Sequence, residues 1–321
     1  MPRLRVLSML SLATTLVVPA AFAQQTISAR PGTINYVEGE ATLNGQPLAA
    51  KSAGPELAQG QTVETTTGKV EILLTPGVFL RVGDNSAVTM VSPELTKTEV
   101  RLERGAAEVE VDQIFKQNNL LVDVGDAQTR LLKSGLYEFD ANANTVRVFD
   151  GEAAVSPSSD AKWVKVKGHH ELAFSEIDQK PQSFDKDDFA QNDALYNWSK
   201  LRSDYLGRAN QQLAEAYAGQ PGISPGWFWN PGLYAYTWLP GDGLFWSPFG
   251  YGFYSPYYIY GGGYIFPHYG VRRGYVHGPY RSGYFPRAGH ARGFSGHAPV
   301  GTPHGFGGGH ASGGFHGGGR R

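Results

Sequence analysis

The chain has 321 residues, 42 glycines, no cysteine and a formal charge of −1. That average hides two compositions: 28 of the glycines and 25 of the 40 aromatic residues follow Ala218, where lysine and glutamate are absent and seven arginines meet one acidic residue, Asp242. A +6 C-terminal stretch is thus joined to a −7 remainder, which excludes a uniform globular enzyme. Without cysteine there is no disulfide scaffold, iron–sulfur cluster or thiolate-held zinc.

Residues 1–23 read as a signal peptide. Arg3 and Arg5 precede an apolar run from Val6 to Ala20, and Ala21-Phe22-Ala23 supplies the small-x-small pattern of a cleavage site. Cleavage after Ala23 would export the protein to the periplasm, the cell envelope or the outside, with no transmembrane span left. It would also take the acidic part of the chain to −9. Residues 24–32 form a linker.

From Gly32 to about Phe174 apolar residues recur with period two. Val70, Ile72 and Leu74 alternate, as do Val78, Leu80 and Val82. So do Val100 and Leu102, Val109 and Val111, then Leu120, Val122 and Val124, and finally Val146 and Val148. Such short valine-rich runs predict strands with one buried face. A quasi-repeat of strand, glycine turn and strand centres on Gly77, Gly105, Gly151 and Gly168, where glycine would supply a positive φ. No comparable helical period interrupts the pattern. The expected fold is therefore all-β, a short-stranded β-sandwich or a β-solenoid-like stack.

Several segments in fixed order carry a resemblance. They are Tyr36-Val-Glu-Gly-Glu-Ala-Thr-Leu-Asn-Gly45, Leu57-Ala-Gln-Gly-Gln-Thr-Val-Glu-Thr65, Gly68-Lys-Val-Glu-Ile-Leu-Leu74, Leu80-Arg-Val-Gly-Asp-Asn-Ser86, Leu102-Glu-Arg-Gly105, Ser134-Gly-Leu-Tyr-Glu-Phe-Asp140 and Val146-Arg-Val-Phe-Asp-Gly-Glu-Ala-Ala-Val155. Together they resemble the FecR-like domain of bacterial envelope proteins, over residues 33–175. The resemblance implies an all-β periplasmic module. In the family's founding regulators it also implies sigma-factor signalling through a cytoplasmic segment and a membrane anchor, in place of which this chain begins with a cleavable leader.

Residues 176–220 form a connector. Asp185 is placed to cap a helix over about 186–218, with Asp187 and Asp188 in its first turn. Leu195, Trp198, Leu201, Tyr205, Ala209, Leu213 and Tyr217 would form its apolar face. Residues 221–271 are rich in Trp, Tyr, Pro and Gly and are expected to be loosely ordered and self-associating. Trp227, Trp229, Trp238 and Trp246 would offer flat faces to glycan or peptidoglycan. Residues 272–321 are a Gly/His/Arg-rich tail, expected to be disordered, whose His290, His297, His304, His310 and His316 are weak candidates for metal binding, too irregularly spaced to fix a geometry.

No catalytic motif was found, no cofactor is implied, and export removes nucleic acid as a partner. His169-His170 is expected in a turn, in a structural role. The sequence thus predicts a non-catalytic envelope protein whose FecR-like domain is an interaction or ligand-binding scaffold, with an aromatic tail for envelope association. The alternatives are a periplasmic signal-transduction regulator linked to a sigma or anti-sigma factor, or weak metal binding by the His-rich tail. The β-domain is expected to stay folded without residues 222–321.

Overall fold

The computed structural model describes residues 29–49, 54–158, 161–174 and 180–263. The leader, and the tail with His290, His297, His304, His310 and His316, lie outside the described residues.

The described chain is mostly β, as the alternation predicts. β1 (Thr33–Leu43) folds back on the short β2 (Gln46–Leu48) and runs antiparallel along β3 (Thr62–Leu73). On its other edge β3 divides its pairing. Thr62–Glu64 pair with β5 (Ala87–Glu94), and Val70–Leu73 pair with β4 (Val78–Val82). The sheet therefore forks at β3. One arm continues through β5, β6 (Lys97–Arg104), β8 (Leu120–Val124), β9 (Ala127–Leu131), β12 (Glu152–Ser156) and β13 (Val164–Lys167). The other continues through β4, β7 (Ala106–Val111), β10 (Gly135–Asp140), β11 (Thr145–Asp150), β14 (His170–Ala173) and β15 (Gln182–Ser183).

The two arms share one apolar core. Val88, Met90, Val100, Val122 and Val155 of the first arm cluster with Leu80, Val109, Tyr137 and Val148 of the second. Every alternating residue named from the sequence belongs to this cluster, which makes the fold sandwich-like.

Three of the four quasi-repeats have a glycine at a positive φ, and two of these are crossings between arms. At Gly105 (φ +77°) the chain leaves β6 for β7, and at Gly151 (φ +98°) it leaves β11 for β12. A Cβ at these positions would lie 2.1 Å from Ser86 Oγ and 2.3 Å from Tyr137 Oη, so only glycine fits. Gly77 turns a true hairpin between β3 and β4. The fourth corner departs from expectation, because His169 (φ +65°), not Gly168, takes the positive φ. At Gly168 a Cβ would lie 3.5 Å from Phe149 and Asp150, an ordinary contact, so this corner does not require glycine there.

The connector is two helices, α1 (Lys186–Asn192) and α2 (Ala194–Ala216), where one was expected. Asp185 caps α1 as predicted, accepting from the amides of Asp187 and Asp188. Asp193 interrupts the helix because its extended backbone ends α1 while its carboxylate caps α2 through the Tyr196 amide at 2.6 Å.

The aromatic segment, expected to be loosely ordered, is folded as far as Gly263. β16 (Gly226–Asn230) and β17 (Ala235–Leu239) form one hairpin, β18 (Leu244–Trp246) and β19 (Gly252–Tyr254) a second, and α3 (Pro256–Tyr260) comes after them. Asn230 shapes the first turn: its Oδ1 accepts from the amides of Gly232 and Leu233 at 3.0 and 3.2 Å.

Candidate functional site

Alternation puts Glu71, Arg81, Glu108, Glu110 and Glu138 on the face of the second arm that points away from the core. On a one-sided sheet that face would meet water. Here it is covered by α2, and all five are buried. Glu71 Oε1 accepts from Arg202 Nη2 of α2 at 2.8 Å and from Asn35 Nδ2 at 2.9 Å, while its Oε2 accepts from Arg81 Nε at 3.0 Å. Arg81 also pairs with Glu110, whose other oxygen accepts from Ser203 Oγ of α2 at 2.7 Å.

The electrostatics of this seam follow from burial and pairing. Burial alone would raise the Glu71 carboxyl, but the guanidiniums of Arg202 and Arg81 outweigh it and hold the pKa at about 2. Burial pushes Glu108 well up, only partly opposed by Ser199. Burial, then the neighbouring Glu110, does the same to Asp112. Burial lifts Glu138 to about 7 against the pull of Arg147, with the Asp193 carboxylate adding to the rise. Two arginines and two carboxylates therefore make a compensated centre, flanked by carboxyls that favour the neutral form.

This explains which face of α2 is inward. The predicted apolar face was partly right, for Leu195, Trp198 and Ala209 are buried, but Leu201 is 65% exposed. Ser199, Arg202, Ser203 and Asn210, none of them on the predicted apolar face, are also buried. Their successive spacing of three, one and seven was in the sequence, but it becomes meaningful only once the acidic strand face is known. Arg202 also lies over the Tyr36 ring at 4.1 Å, and Trp198 Nε1 donates to Glu38 at 2.9 Å.

The aromatic segment completes the cover. Trp227 and Trp238 are 2% and 1% exposed and pack with Leu73, Phe79, Leu206 and Phe253. Asparagines bracket it in place. Asn35 exchanges hydrogen bonds with the Tyr236 backbone at 2.8 and 2.9 Å. Asn210 donates to the carbonyls of Trp238 and Tyr254 at 2.9 and 3.0 Å and accepts from the Tyr254 amide at 2.7 Å.

Of the four tryptophans expected to form a binding surface, Trp227 and Trp238 are therefore core residues, because the apolar side of Phe79 needs covering. Trp229 is half-buried and Trp246 is 49% exposed, and they lie on different hairpins. A different surface lies beside α2, where Leu201, Asp204, Tyr205, Arg208, Gln212 and Leu233 line a groove of about 330 Å³. Tyr205 Oη donates to the Leu233 carbonyl at 3.0 Å, and Arg208 grips Asp204 through two bonds of 2.9 and 3.0 Å. Next to Leu233, Tyr234 adopts φ +48° and is 67% exposed. A tyrosine in that conformation is strained by roughly 1–3 kcal/mol, and its ring meets that of Trp229 edge-on at 6.4 Å.

A wider hollow of about 630 Å³ is lined by His169, Ser183, Phe184, Asp185, Lys186 and Asp187. His169 turns the corner between β13 and β14, and His170 Nδ1 lies 3.0 Å from the Gly168 carbonyl. Among the described residues, no group of three or more His, Asp or Glu is placed to hold a metal ion, and no helix is long and apolar enough to cross a membrane.

Residues 61–155 match the family model described as FecR protein. Two crystal structures of a proposed anti-sigma factor from Parabacteroides distasonis ATCC 8503 are similar to this chain. The first has a TM-score of 0.33 and 12% identity over 39% of this chain and 60% of that one. The second has a TM-score of 0.32 and 13% identity over 38% of this chain and 58% of that one. The chain thus spans less than two thirds of that structure's length. A comparison with curated proteins found no match.

Proposed function

We propose that this chain, which carries a FecR domain over residues 61–155, is an exported, non-catalytic signal-transduction regulator that acts by binding another protein. The FecR match supports a regulator over a static scaffold. The observation that carries the binding role is the α2 groove. A single exposed leucine is ordinary. Leu201, Tyr205 and Leu233 line one groove, rimmed by a preformed Asp204–Arg208 pair, and the strained, exposed Tyr234 follows Leu233 in the chain. An apolar centre with a polar, self-neutralised rim is the make-up of a protein-binding surface. Burial of Trp227 and Trp238 weakens the glycan reading, since two of its four rings are occupied in holding the fold.

In this proposal the leader is removed after Ala23, so the protein works outside the cytoplasmic membrane. The test is a photo-crosslinking residue at position 201 of the full chain, in the producing cells. A discrete protein adduct is expected, lost on Tyr234→Glu, on a chain whose first residue by mass spectrometry is Gln24. No adduct, or an adduct indifferent to Tyr234→Glu, would overturn the binding role. A chain still beginning at Met1 would overturn the export.

A further inference from the structure

The open edge of the first arm differs in charge from the rest of the body. β13 ends the strand order, and among the described residues no strand lies beyond it. Its pairing fixes which groups face outward. Gly168 donates to the Gly151 carbonyl at 3.1 Å, and Ala153 and Val155 stand opposite Val166 and Val164. The antiparallel alternation therefore turns the backbone groups of Val164 and Val166 toward β12, and those of Lys165 and Lys167 toward the open edge. Side chains alternate as well. Val164 and Val166 pack into the core between the arms, which leaves Trp163, Lys165 and Lys167 together on the outer face.

The surroundings of this edge are basic. Over residues 127–133, 152–156 and 161–167, Arg130, Lys133, Lys162, Lys165 and Lys167 are all exposed and meet one carboxylate, Glu152. Glu152 is shared between Lys165 at 2.7 Å and Lys133 at 3.1 Å, so it cannot neutralise both. On β8, the outward Asp123 is already paired with Arg101. Arg130 lies over the Trp163 ring at 5.0 Å, and that ring is still 46% exposed. This positive surplus belongs to a body that is acidic as far as Ala218.

Lysine on an edge strand discourages pairing with a second copy, because like charges would stand opposite one another. The same lysines attract a strand that carries carboxylates. The backbone ladder to such a strand supplies affinity, and its alternate side chains supply the choice of partner. β15, at the other end of the strand order, has two residues and no basic one.

We propose that β13 is a docking edge for an extended acidic segment of a partner protein, which adds to the sheet as a strand with carboxylates opposite Lys165 and Lys167 and an apolar side chain against Trp163. This edge belongs to the first arm, whereas the Leu201 groove lies along α2 on the second, so the two contacts are separate.

Fluorescence anisotropy of the full chain with a short labelled peptide of alternating glutamate and valine tests this. Binding that weakens with salt is expected, and the same peptide with lysine in place of glutamate should not bind. The acidic peptide methylated at its backbone nitrogens keeps the charge but loses the ladder donors, and it should bind at least about tenfold more weakly. In the complex, hydrogen exchange should slow across residues 163–168. Lys165→Glu combined with Lys167→Glu should weaken binding at least about tenfold, since two attractions become repulsions. Lys167→Glu alone leaves both Glu152 pairs intact and is the milder variant should the double one impair folding; it too should weaken binding. Equal binding of the methylated and unmethylated peptides would overturn strand addition. No binding of the acidic peptide, or binding indifferent to Lys167→Glu, would overturn the docking edge itself. None of these outcomes depends on the crosslinking result at position 201.

Discussion

Arg202 of α2 donates to Glu71 of β3 across 2.8 Å, between residues 131 positions apart in the chain. Because Glu71 also takes Arg81 and Asn35, one strand carboxylate joins the sheet to the helix that covers it.

Replacing Arg202 by methionine keeps most of the stem packing and leaves Glu71 buried with one guanidinium fewer. The expected loss is about 2–3 kcal/mol, the range for a hydrogen bond to a buried charged group. Urea unfolding measures it. In the double variant with Glu71→Gln the two losses should not add, since each removes the same contact. Additive losses would show that the pair is not coupled.

The pH dependence has a fixed sign on each side. Glu71 is held at about 2, so its contribution is complete above about 4.5 and is lost as pH falls toward 2. Glu138 is raised to about 7, so the folded state holds its proton where the unfolded chain has released it. Its contribution is complete below about 4.5 and is lost as pH rises through 7. The raised Glu108 and Asp112 act in the same direction as Glu138. Thermal unfolding should therefore be most resistant near pH 4.5–5 and weaken toward both pH 2.5 and pH 8. Glu138→Gln should flatten the curve between pH 5 and 7. A midpoint that rises from pH 5 to pH 8 would contradict the burial of Glu138.

The alternation of Val, Ile and Leu made the inner core legible, since each such pair faces the space between the arms. The opposite face was not legible. Glu71, Arg81, Glu108 and Glu110 alternate just as a solvated face does, and only α2 tells a solvated face from a covered one. The aromatic segment was misread for a related reason. Its glycines and prolines lower apparent complexity, yet Asn230-Pro-Gly232 is a turn and Trp227 and Trp238 face each other across a hairpin. The Leu201 surface was hidden because leucine at a helical period is ordinarily assigned to the buried face.

The contrast between Trp227 and Trp246 separates a core role from a surface one. Trp227 meets Phe79 edge-on with centroids 5.1 Å apart and is 2% exposed. Its replacement by alanine should cost about 3–5 kcal/mol, as for other buried aromatics. Trp246 is 49% exposed, and its replacement should stay within about 0.5 kcal/mol. Guanidinium unfolding of both variants checks this. Equal small losses would mean that Trp227 does not fill the space beside Phe79.

Two truncations separate the role of the folded aromatic segment from that of residues 264–321. Ending the chain after residue 220 removes Trp227, Trp238 and Phe253, and with them the cover of Leu73, Phe79 and Leu206. It also leaves Asn35 without the Tyr236 backbone, and Asn210 without Trp238 and Tyr254. Buried amides stripped of partners cost about 1–3 kcal/mol each, and the uncovered apolar surface adds to that. The sequence-based expectation that the β-domain is indifferent to residues 222–321 is therefore replaced by a specific one. The chain ending at 220 should unfold at much lower denaturant and bind a hydrophobic dye, whereas the chain ending at 263 should keep the midpoint of the full protein. Equal midpoints for the two truncations would show that the hairpins do not stabilise the sheet they cover.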